Sequence, residues 1–259
     1  MWLPKTAWRR LRLRLACAGL VCCSPMFIWP VKAVPDKDQN NQDKRTSQPL
    51  TVRWDEDQPG CTFARGDDGK YRWGLWSGDL GITLAADARE VQAIRHRNWP
   101  IFGVFLTIRY RGTGSLDTTP EGITLQFMKH FKVVQPALDP DGYTQKIQSD
   151  ADAADDETRR EVKKHPEKKQ AQEARLQEYQ KSANEMIEFL SHNSLRPAHL
   201  DRATPEVNGW VFFDTKSKWL GNWKPQEEFV LRLPLAGKVF EFPFKLPPKK
   251  GELLLPKRP

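Results

Sequence analysis

From Leu80 to Leu246, apolar side chains return at every second position in one segment after another, and that period leaves the chain few folds to choose from. Phe102, Val104, Leu106, Ile108 and Tyr110 alternate with Thr107, Arg109 and Arg111. Ile123, Leu125 and Phe127 alternate with Thr124, Gln126 and Met128. Phe229, Leu231 and Leu233 alternate with Glu228 and Arg232, and Phe240, Phe242, Phe244 and Leu246 with Lys238, Glu241 and Lys245. Successive side chains of a strand point to opposite faces, so each segment reads as a strand with one buried and one wet face. Shorter extended runs precede them at Thr51–Trp54, Cys61–Ala64, Tyr71–Trp76 and Leu80–Ala86. Arg65-Gly66-Asp67-Asp68-Gly69-Lys70 and Ala236-Gly237 are hairpin connections with glycines available for positive φ. Pro243 has no amide proton and falls on the outward set, which places the last strand at an edge. Many short strands with turn signals between them predict a mainly β, antiparallel fold, a β-sandwich or a barrel.

One segment breaks the period. Ala151 to about Ser191 is rich in Ala, Glu, Lys, Gln and Arg, which are good helix formers, and Pro166 divides it. After Pro166, residues Leu176, Tyr179, Ala183, Met186, Ile187 and Leu190 recur at spacings of three and four and form one apolar stripe. Before Pro166 only Val162 stands among the charges, so that part is expected to be exposed or frayed. The segment reads as a helical insertion packed on its own sheet; a partner-binding coiled coil is the alternative. One domain, residues 50–248, is therefore expected, preceded by a polar, disordered leader over 34–49 and followed by an extended tail over 249–259.

The N-terminus carries Lys5, Arg9, Arg10, Arg12 and Arg14, then an apolar run from Leu15 to Val31 and the small-residue site Val31-Lys32-Ala33. That is the layout of a secretory signal peptide over residues 1–33, cut between Ala33 and Val34. A retained anchor is the alternative, although Pro25 and Pro30 interrupt the run, and the membrane is then reached only through this segment. The expected location is periplasmic or extracellular. The whole chain carries +8; Lys5, Arg9, Arg10, Arg12, Arg14 and Lys32 account for six of these charges, which leaves +2 on the exported part. No nucleic-acid partner is indicated at that charge. Cys17, Cys22 and Cys23 fall in the signal, so Cys61 has no intrachain partner and is expected to be a small buried hydrophobe.

Chemistry is sparse. His192, His199 and Asp201 are the nearest approach to a metal site, and nothing in the sequence fixes their geometry. Asp139-Pro140-Asp141-Gly142 has part of a calcium-loop spacing without the closing glutamate and reads as a type I turn. Gly112-Thr113-Gly114-Ser115 lacks the lysine of a phosphate loop. Arg65-Gly66-Asp67 is a tripeptide that integrins read, at a tip where Gly and Asp are common anyway. No nucleophile or acid–base constellation assembles, so neither an enzyme nor a cofactor is expected. Tryptophan is the remaining bias. Trp73 and Trp76 are three apart and must face opposite sides of a strand. Trp219 and Trp223 flank Gly221-Asn222 in a lysine-rich loop and are the candidate binding residues; capping the open end of the sandwich is the other reading.

The run Val207-Asn208-Gly209-Trp210-Val211-Phe212-Phe213-Asp214 followed by Phe229–Leu233 resembles the closing strands of immunoglobulin-like domains in uncharacterised exported bacterial proteins. Asp79–Arg111 resembles their opening strands, and the helical segment departs from the pattern as an insertion. The resemblance implies an immunoglobulin-like β-sandwich and a non-catalytic binding or structural module of the cell envelope. It supplies no catalytic residues. The expected partner is an envelope protein or a glycan, and the alternative function is a carbohydrate-binding module using the loop tryptophans.

Overall fold

A computed structural model describes residues 49–87, 98–129, 133–215 and 226–246. The chain is mainly β, with two five-stranded sheets, a two-stranded sheet and two α-helices among the described residues. The first sheet takes β1 (Leu50–Arg53), β12 (Lys238–Leu246), β11 (Glu227–Leu235), β7 (Thr124–Phe127) and β8 (Val134–Pro136), in that spatial order. The second takes β10 (Glu206–Asp214), β5 (Ile101–Tyr110), β4 (Leu80–Asp87), β3 (Lys70–Ser77) and β2 (Cys61–Arg65). A small pair joins β6 (Leu116–Thr118) to β9 (Ala198–Leu200). Among the described strands all ladders are antiparallel except β1 on β12. The β11–β12 connection is the two-residue turn Ala236-Gly237, both with positive φ (52° and 71°), as the right-handed twist of a hairpin requires.

The two large sheets pack face to face. Their inward sets meet in one core, in which Phe102 of β5 stacks on Phe229 of β11 at 5.3 Å and Trp73 of β3 meets Phe244 of β12 at 5.3 Å. The alternation in the sequence marks this face correctly: Phe102, Leu106, Leu125, Phe127, Leu231, Phe240 and Phe242 are all fully buried. Truncating one of these phenylalanines to alanine costs about 3–5 kcal/mol in a core of this kind.

A second, smaller core lies on the outer face of the second sheet. Ile101 and Phe212 face it, while their neighbours Phe102 and Phe213 face the main core. It is closed by α1 (Pro140–Lys164) and α2 (Lys169–Asn193), which are joined by a short 3-10 turn at Pro166–Lys168. The helical insertion therefore begins at Pro140, eleven residues earlier than the helix-former composition predicts. The composition misses the first turns because Tyr143, Thr144 and Ile147 are not strong helix formers; packing makes them helical. Asp139-Pro140-Asp141-Gly142 is correspondingly no free-standing turn but the start of α1.

Two further expectations are corrected. Strand β12 is an edge strand only from Phe242 onward, because β1 covers Lys238–Glu241; Pro243 falls in the uncovered half. Cys61 is half-buried rather than buried, with its Sγ accepting the Asp55 amide at 3.5 Å, because it lies on the outermost strand of the second sheet.

Candidate interaction surfaces

The helical insertion is packed along its proximal half and has no buried residue in its distal half. Asp139 caps α1, its carboxylate accepting the amides of Asp141 (3.1 Å) and Gly142 (3.0 Å), and Pro140 takes the first-turn position that proline tolerates. Tyr143, Ile147 and Ala151, spaced at four, are the buried face of α1; Ala183 and Leu190 are that of α2. Tyr179, Met186 and Ile187 pack partly against the same cluster, and Tyr179 meets Trp99 at 5.5 Å. No residue from Asp152 to Glu178 is buried. That distal half carries ion pairs along each helix instead, Asp155–Arg159 at 2.6 Å and Glu161–Lys164 at 2.9 Å among them. Each helix has 25 residues, about 37 Å at 1.5 Å per residue. Roughly half of that length carries no buried residue. The Tyr143 hydroxyl is buried without a hydrogen-bond partner among the described residues, and burial pushes its pKa up to about 12.

Both ends of the insertion are tied to β10, the edge strand of the second sheet. The Leu138 amide donates to the Phe212 carbonyl and the Leu195 amide to the Trp210 carbonyl, each at 2.8 Å. The chain entering and leaving the helices thus covers an otherwise open sheet edge. The approach at Gly209 is close: a Cβ there would lie 2.5 Å from the Leu195 backbone. Arg196 completes the root with two hydrogen bonds to the Asp141 carboxylate, at 2.8 and 2.9 Å, which hold that carboxyl below the usual range.

Beside this root lies a cleft of about 250 Å³, lined among others by Thr119, Glu121, Leu138, Asp141, Leu195 and Arg196. It runs on toward the β6–β9 pair, where His199 meets Asp117 at 2.7 Å. That hydrogen bond, aided by the charges of Asp117 and Asp201, raises the histidine pKa. Arg196 is already occupied by Asp141, and among the described residues no Ser, Cys, Lys or His lines this cleft. His192 is engaged with the Glu188 carbonyl at 2.9 Å, and among the described residues no three His, Cys, Asp or Glu side chains are grouped to hold a metal.

Trp73 and Trp76 face opposite ways, as their spacing requires: Trp73 is buried, and Trp76 lies against Gly81 with the Arg111 guanidinium 4.1 Å from its ring centre. Trp210 stacks on Phe212, sits edge-on to Phe105 and carries the Lys70 ammonium at 5.3 Å. Phe189, 38 % exposed, borders this group. Trp54 donates its indole N–H to the Thr62 carbonyl and so shields the edge of β2. The described tryptophans are committed to packing. Trp219 and Trp223 belong to residues 216–225, between β10 and β11, and lie outside the described residues, as do Ala33 and Val34. The ends of that connection are firmly placed: Thr215 bonds to the Pro100 carbonyl through both its amide and hydroxyl, and the buried Glu227 carboxylate accepts the amides of Lys129 (2.8 Å) and Glu228 (3.0 Å). Glu227 falls on the inward phase of Phe229 and Leu231, and that misplaced charge was the available signal for it.

The Arg65-Gly66-Asp67 tip is closed by the Gly66 amide on the Lys70 carbonyl (2.9 Å). Next to it, paired hydrogen bonds from Arg72 draw the Asp68 pKa down to about 2. No protein-family model matches this chain, and no curated protein or solved structure matches it either.

Proposed function

We propose that this chain is a non-catalytic, exported binding module of the cell envelope, an immunoglobulin-like domain that engages its partner through the inserted helical hairpin. The observation that carries this reading is the distal half of the hairpin, Asp152–Glu178, which has no buried residue although its two helices are continuous. A helix pair that gains little from packing on its own domain, yet is fixed at its root by a cap, an ion pair and two backbone hydrogen bonds, is suited to presenting a surface.

The strand arrangement supports the immunoglobulin-like part. In that layout strands B and E are neighbours in one sheet, and C, F and G form the other. Here β5 and β10 are neighbours in one sheet and β7, β11 and β12 in the other, with the helices inserted between the C-like and E-like strands. Export rests on the basic and apolar residues before Ala33.

The test uses the chain as expressed in cells and a variant in which a short Gly-Ser turn replaces Asp152–Glu178. Both are expected to be recovered from the envelope fraction with Val34 as first residue by mass spectrometry. The shortened form should keep a thermal midpoint close to that of the parent and lose binding to isolated envelope material. Retention of binding by the shortened form, or an intact Met1 on a cytosolic protein, would overturn the reading.

A further inference from the structure

Resting on the reading of the hairpin as the presented surface, we propose that its tip, Arg159–Lys169, docks on the anionic surface of a phospholipid bilayer. Six cations lie in those eleven residues, Arg159, Arg160, Lys163, Lys164, Lys168 and Lys169, against Glu161 and Glu167, a net +4 where the exported chain as a whole carries only +2. All six are exposed. Arg159, Lys164 and Lys169 are partnered within the helices, by Asp155, Glu161 and Glu173. Arg160, Lys163 and Lys168 make no ion pair among the described residues.

Local helix stability accounts for only part of this charge. Lys163 and Lys164 sit in the last turn of α1, where cations complement the helix dipole. Lys168 and Lys169 sit at the opposite kind of terminus. Lys168 is the N-cap of α2 and makes no side-chain cap; the helical turn opens two residues earlier, at Pro166, and Glu167 is its single acidic residue beside Lys168 and Lys169. Cations are disfavoured there, and Ser, Thr, Asp or Asn is the stabilising choice. A local rule broken at an exposed tip marks a site kept for something other than folding.

The geometry suits a flat, charged partner. Lys163 is twelve residues beyond Ala151, the last packed residue of α1, or about 18 Å along the helix, so the tip lies well away from the packed root. The tip exposes no large apolar side chain, and no described helix is long and apolar enough to cross a membrane, so contact is electrostatic and peripheral. It has no Phe, Tyr or Trp on which a nucleic-acid base would stack, and its one imidazole, His165, is turned to the Glu167 carboxylate at 3.3 Å. Basic side chains near an anionic leaflet each strengthen binding by roughly fivefold, and three unpaired ones by on the order of a hundredfold.

The test uses the chain from Val34, which keeps every residue of both cores and drops the six cations of the N-terminal segment. Sedimentation with phosphatidylcholine vesicles carrying about a third phosphatidylglycerol should show binding that pure phosphatidylcholine does not. It should vanish at about 1 M salt, where the screening length is about 3 Å. Arg160→Glu, Lys163→Glu and Lys168→Glu together should abolish it with helicity unchanged by circular dichroism, and the milder Gln triple should weaken it on the order of a hundredfold. Lys168→Asp alone should raise the thermal midpoint while weakening vesicle binding, opposite movements that a purely structural lysine would not produce. Equal binding to both vesicle types, no vesicle binding, or full binding by either triple variant would overturn the proposal. So would binding of polyglutamate without vesicles, which points to an acidic protein instead. If envelope binding is lost on shortening the hairpin while anionic vesicles are never bound, the binding-module reading survives and the membrane surface falls.

Discussion

Three residues carry much of what is specific to this fold, and two of them make sharp expectations. Gly209 has an ordinary backbone conformation, so its role is space: the Leu195 backbone occupies the position of a Cβ at 2.5 Å. A clash with backbone is not relieved by a rotamer change, so Gly209→Ala should cost about 2–3 kcal/mol in a thermal or denaturant melt, and should loosen the helical root along with β10. His199 tests the electrostatics. Its pKa is raised by the hydrogen bond to Asp117, so the pair contributes stability below the ordinary histidine pKa and loses it as pH rises through the elevated folded value. NMR titration should place His199 above a free histidine, and Asp117→Asn should bring it back; a titration unmoved by that substitution removes the pair. Glu227 is the third, a buried carboxylate satisfied by two backbone amides beside the connection that bears Trp219 and Trp223.

At the scale of elements, the helical insertion combines two stabilities in one hairpin. The segment Tyr143–Ala151 and the facing Ala183–Leu190 bury their apolar sides on Trp99, Ile101 and Phe212, whereas the distal turns rely on single-helix ion pairs. Exposed pairs of this kind contribute a few tenths of a kcal/mol each. Hydrogen exchange should therefore be fast from Asp155 to Glu173 and slow from Tyr143 to Ala151 and from Ala183 to Leu190. Uniform protection would mean that the distal half is packed on something. The stripe in α2 was legible because Ala183, Met186, Ile187 and Leu190 recur at helical spacing; its first member, Leu176, reaches no sheet and is only partly covered. The start of α1 was not legible. Tyr143 and Ile147 are helical because the outer face of β5 and β10 lies beneath them, and no local signal but Asp139-Pro140 announces it. In β12, Pro243 lies in the half of the strand that β1 leaves uncovered; that the other half is covered follows from β1, nearly two hundred residues away.

For the molecule as a whole, the connection between β10 and β11 separates two uses of the same residues. With Thr215 and Glu227 anchored at its ends, Trp219 and Trp223 can serve either as a cap on the domain or as a recognition surface. Replacing both by alanine should leave the midpoint nearly unchanged if they recognise a partner, since exposed side chains contribute little. A loss of about 3–5 kcal/mol is expected if they cap the core. A thermal melt decides it. The period of two and the helix-former run were enough to set the β-rich class, the inward face of nearly every strand and the presence of an inserted helical segment, because burial of alternate side chains is a local pattern with a local reading. What the sequence could not order was everything that depends on meetings between distant segments. The parallel seat of β1 on β12, the tying of both insertion ends to β10, the space demanded at Gly209 and the pairing of Arg196 with Asp141 all join residues far apart in the chain. Each is decided by which surfaces remain to be covered once the two sheets have closed on each other, and that is a property of the packed chain rather than of any stretch within it.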